Sequence, residues 1–86
     1  MVTGEPCADH APSEERLTDY DRRHFTVYAR LLDAEREDAD WREIARLVLG
    51  IDPDADLVRA YDSWTSHLAR AKWMTTSGYK LLLREA

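Results

Sequence analysis

The chain has 86 residues, 44% of them apolar and including three Trp and four Tyr, enough for one small core and too apolar for a disordered chain. Its single cysteine, Cys7, excludes an internal disulfide, and its longest apolar runs, Leu47-Val48-Leu49 and Leu81-Leu82-Leu83, fall far short of the roughly 20 residues a membrane span needs. Twelve Lys and Arg against 17 Asp and Glu leave a net charge of −5, which disfavours a dedicated polyanion binder.

The charge is unevenly spread: residues 1–40 carry a net −6 and residues 41–86 a net +1. Met1 to His10 contain no apolar run of the kind that opens a secretory signal, so the expected location is the cytoplasm. Residues 1–16 hold Gly4, Pro6, Pro12, Ser13 and four acids with little to bury. They read as a mobile acidic tail preceding a folded domain over residues 17–86.

Thr18 suits a helix N-cap, with Asp19 and Asp21 at the positive end of the dipole. His24, Phe25, Tyr28, Leu31 and Leu32 then share one face, opposite Arg22, Arg23, Thr26, Arg30 and Asp33. This first helix ends in the charged run from Glu35 to Asp38. A second helix begins with Asp40 and Glu43 as a capping pair and buries Trp41, Ile44, Ala45 and Val48. Gly50 supplies its left-handed end, Ile51 packs back on the last turn, and Pro53 prevents continuation.

After a connector capped by Asp56, a third helix is predicted over residues 57–76. Its apolar stripe is Leu57, Tyr61, Trp64, Leu68 and Ala71, at steps of four and three. Gly78 ends it, and Tyr79 to Arg84 form a last short helix. With no repeat and no strand-like alternation, the class is all-α, a four-helix domain.

Catalytic chemistry is sparse. His10, His24 and His67 form no pair spaced for metal binding, and Gly4, Gly50 and Gly78 stand alone rather than in a phosphate loop. No enzyme activity, cofactor, metal or small-molecule ligand is expected. The order of the second helix, a glycine turn and the third helix resembles a helix-turn-helix, although the connector from Gly50 to Asp56 is longer than usual. If the third helix entered a DNA groove, Arg59, Ser63, Ser66 and Arg70 would face phosphates and base edges, with Lys72 beside them.

Three blocks are more distinctive. They are His24-Phe25-Thr26-Val27-Tyr28-Ala29-Arg30-Leu31-Leu32-Asp33-Ala34, then Asp40-Trp41-Arg42-Glu43-Ile44-Ala45-Arg46, then Ser66-His67-Leu68-Ala69-Arg70-Ala71-Lys72-Trp73-Met74 with Gly78-Tyr79 and Leu82-Leu83. In this order, across about residues 20 to 84, they resemble a proteobacterial domain family first catalogued as of unknown function. That family is common on plasmids and integrative conjugative elements. The resemblance implies an extended-turn helix-turn-helix variant, in keeping with the long connector.

Family members occur as the DNA-binding part of transcriptional activators of element excision and transfer, with a basic recognition helix. They also occur as short acidic antiactivators that bind the activator's N-terminal domain. The chain's length, its acidity and its third helix, poor in basic residues, resemble the second kind. Exposed apolar or aromatic anchors for such a partner are sought at Tyr28, Trp73, Met74, Tyr79 and Leu82. Direct DNA binding through Arg59, Ser63, Ser66 and Arg70 is the alternative expectation, and an accessory subunit of a larger assembly is a further one.

Overall fold

A computed structural model describes residues 7–85, apart from the side chains of Leu82 and Glu85, and shows an all-α domain without strands among those residues. The elements are α1 (Asp19–Arg23), α2 (Phe25–Arg36), α3 (Trp41–Ile44), α4 (Leu57–Trp73) and α5 (Tyr79–Glu85). Wider π-helical turns at Ala45–Leu49 and Met74–Gly78 extend α3 and join α4 to α5. Thr18 caps α1 reciprocally with Asp21: the Asp21 amide donates to the Thr18 hydroxyl, and the Thr18 amide donates to Asp21 Oδ2 at 2.9 Å.

The single first helix expected from the sequence is two pieces that bend at His24, whose φ is −122° and ψ 19°. The ring explains the bend. His24 Nδ1–H donates to the carbonyl of Tyr20 at 2.7 Å, taking the acceptor that a continuing helix would offer the His24 amide. That amide bonds Asp21 instead. His24 Nε2 is then buried without a hydrogen-bond partner among the described residues.

The helical hairpin α3–α4 packs against α2 around a cluster of Val27, Leu31, Ala45, Val48, Leu49, Ile51, Ala60 and Leu68. Each fully buried aliphatic side chain contributes roughly 1.5–3 kcal/mol relative to exposure. Asp40 and Asp56 cap α3 and α4, accepting from the amides of Arg42 and Arg59, but the cap on α3 is one-sided rather than the reciprocal pair expected with Glu43. Gly50 is left-handed at φ 72°, and its amide and that of Ile51 both return to the Ala45 carbonyl. Ile51 is thereby driven into the core. Arg46 reaches Asp52 and Asp54 across the connector at 3.4 and 3.0 Å, a solvent-exposed clasp worth well under about 1 kcal/mol.

Gly78 does not stop the third helix, contrary to the sequence expectation. The chain passes through it in helical geometry into α5. Gly78 is buried, and a Cβ there would sit 2.7 Å from Trp73 Cζ3 and 2.8 Å from Met74 Sδ. Its missing side chain is therefore required by the Trp73 and Met74 side chains folded over it.

The apolar stripe of α4 is corrected in part. Leu68 and Ala71 are buried as expected and Trp64 is half-buried against the core, but the inward face extends to Ala60, Ser63, His67 and Arg70 beside the predicted stripe. Small residues win at the contact because they let α4 approach its neighbours closely. Leu57 and Tyr61 are left outside.

Residues 7–16, expected to be part of a mobile tail, lie along α4 instead; residues 1–6 fall outside the described residues. Arg70 holds this segment. Its guanidinium donates to the carbonyls of Glu14 (2.5 Å) and Arg16 (2.7 Å) and to both oxygens of Asp21 (3.0 and 2.6 Å). Both partners of that ion pair are buried. Tyr28 donates to Asp21 Oδ1 at 2.7 Å, and the Arg70 guanidinium lies 3.9 Å from the Trp73 ring centre. Replacement Arg70→Ala leaves the Asp21 carboxylate buried without its counter-charge and is expected to cost about 3–5 kcal/mol, read as a lower urea midpoint. A loss below about 1 kcal/mol would mean that the pair is not holding the fold.

Candidate functional site

The polar side of α4 was the candidate nucleic-acid face. Its four residues are all engaged by the segment that precedes α1. Arg59 Nε donates to Asp9 at 2.7 Å. The Ser63 hydroxyl donates to the Ala8 carbonyl at 3.3 Å, and the Ser66 hydroxyl accepts from the Ala11 amide at 3.1 Å. Arg70 takes the carbonyls of Glu14 and Arg16. Ser63 and Arg70 are buried and Ser66 half-buried, so the structure corrects the expectation that these three are presented outward. Arg59 alone of the four is exposed.

Beneath this segment runs a directional hydrogen-bond chain. The Ala8 amide donates to Tyr20 Oη at 2.9 Å, Tyr20 Oη–H donates to His67 Nε2 at 2.6 Å, and His67 Nδ1–H donates to the Ser63 carbonyl at 2.7 Å. The Tyr20 ring stacks on His24 at 4.0 Å between ring centres. Burial pushes the Tyr20 hydroxyl up to about 12 and holds His67 below its ordinary value, so the imidazole is neutral and able to accept from Tyr20. The half-buried Cys7 thiol is likewise raised by burial. Burial also opposes ionisation of Asp21. Hydrogen bonds from Arg70, Thr18 and Tyr28 overcome it and hold the carboxyl at about 2.

A histidine, a tyrosine, a serine and a cysteine near one another suggest chemistry, but here each bonded atom faces the chain itself. The network fastens residues 8–16 to α4. Its polarity is fixed by two backbone carbonyls and one backbone amide, none of which a substrate would replace without unfastening the segment.

The proposed partner anchors separate in the same way. Tyr28 is only 3% exposed and committed to Asp21, so it is not a surface anchor. Trp73 and Met74 are half-buried, Trp73 beneath Arg70 and both over Gly78. Tyr79 is exposed, and the side chain of Leu82 lies outside the described residues.

Sequence reasoning missed a different surface. Trp41, Tyr61 and Trp64 form an aromatic cluster with ring centres 5.2–5.8 Å apart. Leu57, Val58 and Tyr61 stand 51%, 69% and 48% exposed beside it. Trp41 and Tyr61 meet edge to face, the arrangement that the ring quadrupoles favour. The sequence spacing puts Leu57, Tyr61 and Trp64 in the core stripe of α4 and Trp41 in the buried stripe of α3, and gives Val58 no role. The signal available was the run Ala60, Ser63, His67, whose small members mark the closely packed side and turn the larger residues outward.

No protein-family model and no curated protein matches this chain. Among the described residues, no helix is long and apolar enough to cross a membrane.

The His67 geometry sets a pH dependence. Its folded pKa lies below the unfolded 6.5, so the stability it contributes is present above about pH 6.5 and is lost as pH falls. Urea midpoints of the wild type are expected to drop between about pH 7 and pH 5, and those of His67→Gln to change less over that window. Equal slopes for the two proteins would show that His67 is not the group responsible.

Proposed function

We propose that this protein is an antiactivator of transcription: it binds the N-terminal domain of a transcriptional activator in the cytoplasm and prevents activation of mobile-element excision and conjugative transfer. It acts as a binding protein and not as an enzyme. The resemblance of residues 20 to 84 to the mobile-element domain family supplies the regulatory setting. A net charge of −5 supports likeness to the acidic antiactivators of that family rather than to its basic DNA-binding members.

One observation carries the choice of protein over DNA as the target. Arg59, Ser63, Ser66 and Arg70, the α4 residues that would contact a duplex, are each hydrogen-bonded to residues 8–16 of the same chain. Asp9 also places a carboxylate beside the exposed Arg59. A phosphate approaching this face meets acidic chain rather than free donors, and the overall field repels it. Elsewhere α4 offers outward Leu57, Val58 and Tyr61, an apolar patch with an aromatic member of the kind that anchors protein partners.

Competition then explains inhibition. A separate chain that occupies the surface by which an activator's two domains dock displaces the tethered domain, provided its affinity overcomes an effective concentration on the order of millimolar. Tagged full-length protein is expected to retain the activator after nuclease treatment and to leave a fluorescent duplex unbound at physiological salt. Salt-sensitive duplex binding that falls in Arg59→Ala, with no activator retained, would transfer the function to direct promoter binding.

A further inference from the structure

Three depressions adjoin one another, the first two on the side of α4 away from Arg70 and the third reaching Asp9, His10 and Arg59 beside the segment that precedes α1. One of about 380 Å³ lies between the end of α2 and the start of α3, lined by Leu31, Ala34, Ile44 and Trp64 among others. It shares Trp41 with a second of about 250 Å³, which Leu57, Val58 and Tyr61 also line. That in turn shares Val58 and Asp62 with a third of about 320 Å³ at the start of α4. The first two depressions have an apolar floor, and the third sets Val58 among Asp9, His10, Asp56, Arg59 and Asp62, so that acids outnumber the cations Arg42 and Arg59 along the walls.

The first depression is bordered by Glu35, Asp38 and Asp40, and the others by Asp62, Asp56 and Asp9. Two of these acids already have cationic partners: Glu35 pairs with Lys72 at 2.9 Å and Asp9 with Arg59 at 2.7 Å. Asp38, Asp40, Asp56 and Asp62 have no ion pair among the described residues. Arg42, the cation lining the middle depression, lies over Trp41 at 5.5 Å from its ring centre.

The geometry points to this groove as the docking site for a basic amphipathic segment of the partner, an apolar side chain seated against Trp41, Leu57, Val58 and Tyr61 and Lys or Arg residues facing Asp38, Asp56 and Asp62. The assignment rests on the protein-binding function proposed above and names its surface. Charge selects the occupant. An acidic or neutral segment would bury its apolar side chain equally well but would meet unpaired carboxylates on both walls. A second copy of this chain would bring the same acidic walls against them. Exposed aromatic and aliphatic side chains in a concave setting supply affinity, and the acids supply orientation and a salt-dependent approach.

Two titrations separate this surface from the function it serves. The first follows backbone amide resonances of the full chain on addition of a synthetic amphipathic Lys/Leu helix, with its Glu/Leu counterpart as control. The Lys/Leu peptide is expected to shift Trp41, Leu57, Val58 and Tyr61 in a salt-sensitive manner. Val58→Lys and Asp62→Lys, both at exposed positions, are each expected to weaken it about 10-fold or more, and Leu83→Glu to leave it unchanged. Shifts centred on Trp73, equal binding of the Glu/Leu peptide, or self-association abolished by Val58→Lys would overturn the assignment. The second titrates the purified activator N-terminal domain into the same proteins by calorimetry. Binding that survives both Lys substitutions unchanged overturns the groove and leaves the antiactivator function standing. No activator binding, with the peptide result intact, removes that function and leaves the groove.

Discussion

The buried Asp21–Arg70 pair is the point on which the rest of the structure turns. Taking two opposite charges out of water costs several kcal/mol per ion, and attraction between them compensates only if the remaining donors and acceptors are satisfied. Here they are met from three parts of the chain: Thr18 and Tyr28 donate to the carboxylate, and the guanidinium donates to the carbonyls of Glu14 and Arg16 while resting on Trp73. The pair therefore ties α1, α2, the preceding segment and the end of α4 at one place. In a domain whose aliphatic core is small, that gives the polar side of α4 one arrangement.

That arrangement decides what α4 is able to present. A helix of 17 residues has two long faces. One is closed by residues 8–16 through Ser63, Ser66 and Arg70 and by Tyr20 through His67, and the other carries Leu57, Val58 and Tyr61 into solvent. Ser63, Ser66 and Arg70, polar residues that resemble a recognition surface in sequence, are thereby structural, and Leu57 and Tyr61, apolar residues that resemble a core, are outside, while Leu68 and Ala71 remain inside. Both departures have one cause: the inward face of α4 extends past the apolar stripe to Ala60, Ser63 and Arg70.

The elements themselves were legible because their boundaries depend on local chemistry. Asp40, Asp56, Gly50 and Pro53 act within a turn of their own positions, and each does what its type implies. The bend at His24 and the burial of Gly78 were not legible in the same way. The first depends on which acceptor a ring nitrogen takes, and the second on two side chains folding over one Cα. The site was harder still. An arginine's side chain carries no mark of whether its partner is a phosphate or an aspartate 49 positions away in the chain. Likewise, a stripe with helical spacing identifies a helix without saying how that helix is rotated on its neighbours.

The exposed Leu57, Val58 and Tyr61 beside two half-buried tryptophans then need a reason to remain exposed. Trp41, Tyr61 and Trp64 already gain from contact with one another, so the cluster is preformed and a partner meets rings that have little freedom left to lose. An apolar patch of that kind on a small domain invites indiscriminate association. The unpaired carboxylates along its edges oppose that: they penalise neutral, acidic and self contacts while favouring a cationic one. Apolar floor and acidic wall thus divide the task, the first providing residence and the second discrimination. Arg70 supports both from the far side by fixing the rotation of α4 that brings the floor to the surface.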